Sequence, residues 1–132
     1  MFQYGNNISV KFPCPEIILQ GKIPSDETKT FRVTAIIDTG AIMSCVPAKA
    51  IESIVGADFE YNLVTVRGAC GTSEYRKSYI IHLKLANCEF RDLEVIAIDK
   101  PYALIGRDIL NKYKLTFDAP NSTWDVDTKC DQ

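Results

Sequence analysis

What most constrains this chain is the shortness of its apolar runs. Hydrophobic residues make up 46% of its 132 residues, yet they come in brief stretches, many alternating with polar ones, broken by glycine, proline, asparagine and aspartate. That pattern predicts strands rather than long amphipathic helices. Segments 16–23 (EIILQGKI), 31–37 (FRVTAII), 61–66 (YNLVTV), 75–85 (YRKSYIIHLKL) and 90–98 (FRDLEVIAI) read as strands, rich in β-branched side chains. The polar stretch 24–29 (PSDETK) reads as a turn. Segment 67–73 (RGACGTS) carries two glycines between two strands, so 61–85 forms a long hairpin. Segments 115–118 and 123–126 flank Ala-Pro-Asn-Ser and predict a C-terminal hairpin, and the alternation of Ile8, Val10 and Phe12 predicts one further strand. Segments 47–55 and 107–112 read as short helices. The fold class is all-β with two short helices, a sandwich or barrel, in one domain over residues 1–132.

Composition narrows the function. Fifteen Lys and Arg stand against seventeen Asp and Glu, a net charge of −2. With no basic excess to neutralise a phosphate backbone, nucleic acid is not an expected partner. No apolar run approaches the roughly 20 residues of a membrane helix, so no membrane partner is expected either. The N-terminal residues are polar where a signal peptide needs an apolar stretch. Five widely spaced cysteines, Cys14, Cys45, Cys70, Cys88 and Cys130, include no C-x-x-C, and His82 is the only histidine. A zinc site is therefore not expected, and neither is a His-dependent nucleophile. The cysteines read as reduced, passive thiols, and the expected localisation is cytoplasmic. His82 alternates with apolar neighbours and reads as an ordinary strand residue.

The chemistry lies in Ala35-Ile36-Ile37-Asp38-Thr39-Gly40-Ala41. An apolar strand runs straight into an acid, a hydroxyl and a glycine. A carboxylate at a buried strand end is costly unless donors or a shared proton compensate. Thr39 offers a hydroxyl, and Gly40 lets the backbone turn beside the acid. Alone, the tripeptide reads as a strand followed by a turn, ahead of a catalytic loop. Downstream, Ala103-Leu104-Ile105-Gly106-Arg107-Asp108-Ile109-Leu110 is a second apolar strand running into a glycine and then a short helix.

Taken together, I-I-D-T-G-A, the glycine-bearing hairpin and L-I-G-R-D-I-L, in that order, resemble the retropepsin-like aspartic proteases, the family of the retroviral proteases and their cellular relatives. The resemblance covers the chain from about residue 16 to the C-terminal hairpin. It implies a closed acid-protease barrel and an endopeptidase acting on peptides or proteins without metal or cofactor. The chemistry needs two carboxylates facing one water, and this chain has a single Asp-Thr-Gly. A homodimer supplies the pair, each Asp38 meeting its mate on the two-fold axis. The resemblance assigns catalysis to Asp38, with Thr39 bonding across the axis and Gly40 offering its carbonyl to substrate. Ala41 and Ile42 would border the substrate, Leu104 would line a side-chain pocket, and Arg67, Gly68, Ala69 and Cys70 would belong to a flap that closes over it. Arg107 and Asp108 read as structural, Asp108 accepting from the Ser44 hydroxyl.

The sequence also departs from the retroviral pattern. Ile42 and Met43 stand where those enzymes often carry acidic residues, so Arg107 loses its expected partner and the site becomes more apolar. The rival reading is a catalytically silent peptide-binding or dimerisation module that keeps this fold. A domain cut from a larger polyprotein is a weaker third, disfavoured by the start at Met1 and the complete set of elements.

Overall fold

β-Branched and aromatic residues dominate the strands of the computed structural model, which describes residues 1–5, 14–24, 26–55, 60–68, 70–86 and 88–127. In chain order the elements are β1 (Phe2–Gln3), β2 (Glu16–Ile23), β3 (Asp26–Ile37), β4 (Cys45–Pro47), α1 (Ala48–Glu52), β5 (Asn62–Arg67), β6 (Ser73–Leu85), β7 (Cys88–Ile98), β8 (Ala103–Ile105), α2 (Arg107–Leu110), β9 (Leu115–Asp118) and β10 (Thr123–Val126). Seven strands pair in the order β2-β3-β8-β4-β7-β6-β5. A further pairing of β2 with β6, Gln20 opposite Lys84 and Lys22 opposite His82, closes six of them into a barrel. β5 hangs on β6 outside the ring. The mostly-β class and the closed barrel agree with the sequence expectation.

The barrel fills because strand side chains alternate between its two faces. Leu19, Ala35, Val46, Ile81, Leu83, Val95, Ala103 and Ile105 point inward, and α1 and α2 add Ile51 and Ile109. Gly21 lies between Phe31 and Leu83 across the ladder. A Cβ there would fall 2.2 Å from Phe31 Cζ, so the missing side chain makes room for the ring. Beneath the barrel, β1, β10 and β9 form a separate three-stranded sheet, with Phe2 stacked on Trp124 at 4.6 Å between ring centroids. The expected C-terminal hairpin is its β9–β10 pair. Tyr113 donates its hydroxyl to the Leu85 carbonyl at 2.9 Å, and burial pushes its pKa up to about 12.

Several local expectations change. β3 begins at Asp26, so most of the polar segment read as a turn belongs to a strand. Its pairing uses backbone groups, and Lys29, Thr30 and Arg32 turn to solvent. β4 was not anticipated, and it takes Pro47 from the segment 47–55 read as a helix. Cys45 and Val46 pair with Ile96 and Ala97 of β7, and only Ala48–Glu52 is helical. The second helix is Arg107–Leu110, shorter than 107–112. His82 is a strand residue as expected, its Nε2 lying 3.3 Å from Asp92 Oδ1. The reading of all five cysteines as reduced is corrected: Cys88 is disulfide-bonded. Cys14, Cys45 and Cys70 are not disulfide-bonded. The strand expected around Ile8, Val10 and Phe12 also lies outside the described residues.

Candidate active site

Two parallel strands aim the acidic loop. β3 and β8 run side by side with Ile36 opposite Leu104 and Ile37 opposite Ile105. The ladder continues one residue further, the Asp38 amide donating to the Ile105 carbonyl at 2.9 Å. The chain then leaves the sheet. The Ala41 amide donates to the Asp38 carbonyl at 3.2 Å and closes a tight turn. Within that turn the Gly40 amide donates to Asp38 Oδ1 at 3.0 Å. That bond fixes one oxygen of the carboxylate. The other has no hydrogen-bond partner among the described residues. Asp38 is half-buried, whereas Thr39 and Gly40 are exposed and Ile42 is 71% exposed.

The segment that follows is bolted to α2. Arg107 and Asp108 donate their amides to the Ala41 and Ile42 carbonyls at 2.8 and 3.2 Å. Ser44 is fully buried. Its hydroxyl donates to Asp108 Oδ1 at 2.7 Å and accepts from the Gly106 amide at 2.9 Å, while its own amide donates to Asp108 Oδ2 at 2.9 Å. Asp108 Oδ1 also accepts from the Ile109 amide at 2.9 Å, within the first turn of α2. Every polar atom of this knot has a partner, which a buried network needs if it is to stabilise. Gly106 has no room for a side chain: a Cβ would lie 2.9 Å from the Ala41 oxygen and from the Met43 carbonyl atoms. The expected Ser44–Asp108 contact is therefore present, and it holds the loop from behind.

Leu104 is half-buried beside Ile36 and Cys45 in the ladder, behind the loop. Cys45 sits close by with its thiol 3.8 Å from the Met43 carbonyl. Burial, then the Asp108 and Asp38 charges, push its pKa up to about 11, against a smaller opposing effect of Arg76. The thiol is protonated at neutral pH and is a poor nucleophile. Arg107 is exposed and forms no ion pair among the described residues, in keeping with Ile42 and Met43 replacing acids.

The hairpin read as a flap is present. β5 and β6 pair from Asn62–Ser78 to Arg67–Ser73. At the tip the Gly68 amide donates to the Thr72 carbonyl at 2.9 Å and the Gly71 amide to the Gly68 carbonyl at 3.0 Å. Gly71 has φ +82°, in the left-handed region that favours glycine. Arg67, Gly68 and Cys70 are exposed on this tip. Ala69 lies outside the described residues. No hydrogen bond among the described residues joins the tip to the Asp38 loop. Sequence reasoning missed the backbone bonds from α2 to Ala41 and Ile42. Gly106, placed directly after an apolar strand, was their one visible sign.

Among the described residues, no group of three or more His, Cys, Asp and Glu is placed to hold a metal, and no helix is long and apolar enough to cross a membrane. At this site a half-buried carboxylate ends two paired parallel strands, is fixed by the amide of the following Gly, and is braced from behind by a Ser–Asp knot. Residues 10–118 match the family model for the retroviral aspartyl protease, and the chain belongs to that family. Among solved structures, the EIAV protease complexed with the inhibitor HBY-793 is similar with a TM-score of 0.54 and 18% identity, over 81% of this chain and 91% of that one. The foamy viral protease–reverse transcriptase in complex with an RNA/DNA hybrid gives 0.52 and 15%, over 74% of this chain and 12% of that one. The simian foamy virus (mac) protease gives 0.47 and 20%, over 72% and 92%. No curated protein matches the sequence.

Proposed function

We propose that this chain is an aspartic endopeptidase whose active site forms between two copies of itself. The observation that carries the reading is the unfinished state of the Asp38 loop. One carboxylate oxygen is held by the Gly40 amide, while the other oxygen and the Thr39 hydroxyl have no partner among the described residues. The loop is rigidly braced yet open, and it supplies one acid where the chemistry needs two. A two-fold axis through the loop brings a second Asp38 beside the first and offers Thr39 a hydroxyl partner in the opposite loop.

The two carboxylates then share one proton, because like charges that close do not both ionise. The ionised member takes a proton from a bound water, whose oxygen attacks the peptide carbonyl carbon. The protonated member donates to the carbonyl oxygen, giving a gem-diol. Proton transfer to the amide nitrogen breaks the C–N bond and releases two peptides. The Gly40 carbonyl and the exposed side chain of Ile42 face the substrate, and Leu104 contributes an apolar wall. The apolar Ile42 and Met43 favour hydrophobic residues around the scissile bond. The hairpin tip at Arg67, Gly68, Ala69 and Cys70 closes over the bound peptide and excludes water.

The test compares wild type with Asp38→Asn on a denatured protein mixture across acid to neutral pH, reading new peptide termini. Cleavage by wild type alone, with specific activity rising with protein concentration, is the expected result. Equal cleavage by both rejects the mechanism. The exposed Ile42, and an Arg107 without an ion pair among the described residues, support a second reading, a peptide-binding module that does not cleave. A stable dimer that binds peptide tightly without cutting it favours that reading.

A further inference from the structure

One cavity lies at neither the Asp38 loop nor the β5–β6 hairpin tip. It is a cleft of about 370 Å³ on the wall formed by β3, β2, β6 and β7. Four cations line it, Lys22, Arg32, Lys84 and Arg91, with His82 and a single carboxylate, Glu89. This imbalance stands out in a chain whose net charge is −2.

Strand register creates it. Arg32 pairs with Gln20, Gln20 with Lys84, and Lys84 with Glu89, so these residues share one rung and one face. Lys22 pairs with both Thr30 and His82 two residues along β2, on the same face. On the intervening rung Phe31 and Leu83 turn their side chains into the core on either side of Gly21. Glu89 is engaged by Arg91 at 3.5 Å, and Asp92 by His82 at 3.3 Å. Arg32 and Lys84 have no acidic partner among the described residues. Like charges gathered on one sheet face repel and destabilise it, and an anion bound between them reverses the sign of that term.

We propose that this cleft is a binding site for a small organic or inorganic polyanion, carrying phosphate or carboxylate groups, separate from the peptidase centre. The volume lies at the lower end of the range for small-molecule sites, roughly 300–1,000 Å³. Arg32 and Lys84 sit on strands flanking β2, about 10 Å apart at the backbone from the spacing of neighbouring strands. That separation suits a ligand with more than one anionic group. The guanidinium of Arg32 offers a planar fork to a phosphate or carboxylate, and Lys84 a point charge. The inference does not depend on the peptidase reading, since none of these residues belongs to the Asp38 loop or the flap.

The test is calorimetric titration of the folded protein with sodium tripolyphosphate, ATP and citrate, at low and at raised salt. Hexaglutamate and an oligothymidylate are run alongside. Saturable 1:1 binding of tripolyphosphate or citrate, weakened by salt, is the expected result. Tripolyphosphate binding without citrate binding assigns the site to phosphates, and the converse to carboxylates. The double variant Arg32→Gln/Lys84→Gln is expected to weaken binding by roughly tenfold or more. A control, Lys49→Gln/Lys112→Gln, removes the same charge elsewhere on the surface and is expected to bind as wild type does. All four positions are exposed, and matching thermal midpoints without ligand confirm that each variant folds. Absence of saturable binding to all three small anions overturns the proposal, as does an equal loss in the control. Binding of hexaglutamate or the oligothymidylate alone also overturns it, and gives the face to a macromolecule instead.

Discussion

The loop after β3 and the tip of the β5–β6 hairpin both contain a Gly-bounded turn, yet they are built in opposite ways. The loop is fixed at both ends: to β8 through Asp38 and Ile105, and to α2 through Ala41, Ile42 and Ser44. Behind it stands a fully buried serine with every hydrogen bond satisfied. The hairpin tip is held by two backbone bonds of its own and is exposed throughout its described residues. Acid chemistry needs carboxylate oxygens fixed to within fractions of an ångström. A cover needs to admit and release a peptide. The same chain supplies a braced loop and a weakly tethered hairpin tip because buried partners surround one turn and water surrounds the other.

Substitutions sharpen this contrast, and the largest effect belongs to the acid itself. Asp38→Asn is expected to leave the thermal midpoint near that of wild type while lowering peptidase activity by roughly 10²–10⁴-fold, the scale of lost acid–base catalysis. Retained activity would break the account at its centre. Gly106→Ala comes next, because a Cβ there meets backbone atoms of Ala41 and Met43 that cannot give way. It is expected to cost about 3 kcal/mol or more, read as a fall in the urea midpoint. Ser44→Ala strands the Gly106 amide and one bond of Asp108, and should cost about 1–3 kcal/mol by the same measurement. Gly71→Ala, at φ +82° in open space, should cost only about 1 kcal/mol. If Gly71→Ala destabilises more than Ser44→Ala, the distinction between braced loop and tethered tip fails.

The thiols test the same contrast more gently. Cys45, with its pKa pushed up to about 11, is expected to resist iodoacetamide at pH 8 in the folded protein, while exposed Cys70 is labelled. Mass spectrometry of the digested protein reads the two sites separately. A thiol whose pKa is raised on folding, from 9.0 to about 11, binds its proton more tightly in the folded state. Its contribution to stability is complete below pH 9 and is lost as pH rises through 11. Replacing Cys45 with serine should therefore flatten the fall in stability across that window.

Much of the framework was legible because strand periodicity and turn chemistry are local. The segments at 16–23, 61–66, 75–85 and 90–98 match strands to within a residue or two. The Asp38 loop was legible for a different reason, since an acid placed at the end of an apolar strand is costly and therefore conspicuous. The Ser44–Asp108 contact could be anticipated once the two motifs were set side by side. What escaped depends on long-range pairing. β4 has only three residues and takes its identity from Ile96 and Ala97 across the sheet. The polar start of β3 reads as a turn until its ladder with β2 is known. The basic cleft was invisible for the same reason: Lys22, Arg32, Lys84 and Arg91 are scattered in sequence, and overall charge balance hides what register gathers. The state of Cys88 also depends on which cysteine the fold brings to it, which spacing alone does not decide.

The account rests on two subunits each giving one Asp38 to a shared centre, and mixing subunits tests it most directly. Wild-type protein is combined with an equal amount of Asp38→Asn, equilibrated so that subunits exchange, and assayed for cleavage per wild-type chain. A composite centre predicts that activity falls to roughly half, because about half of the dimers pair an intact loop with a neutralised one, and falls further as the variant is raised. Activity per wild-type chain that stays constant at every ratio would contradict the shared centre and with it the proposed peptidase mechanism.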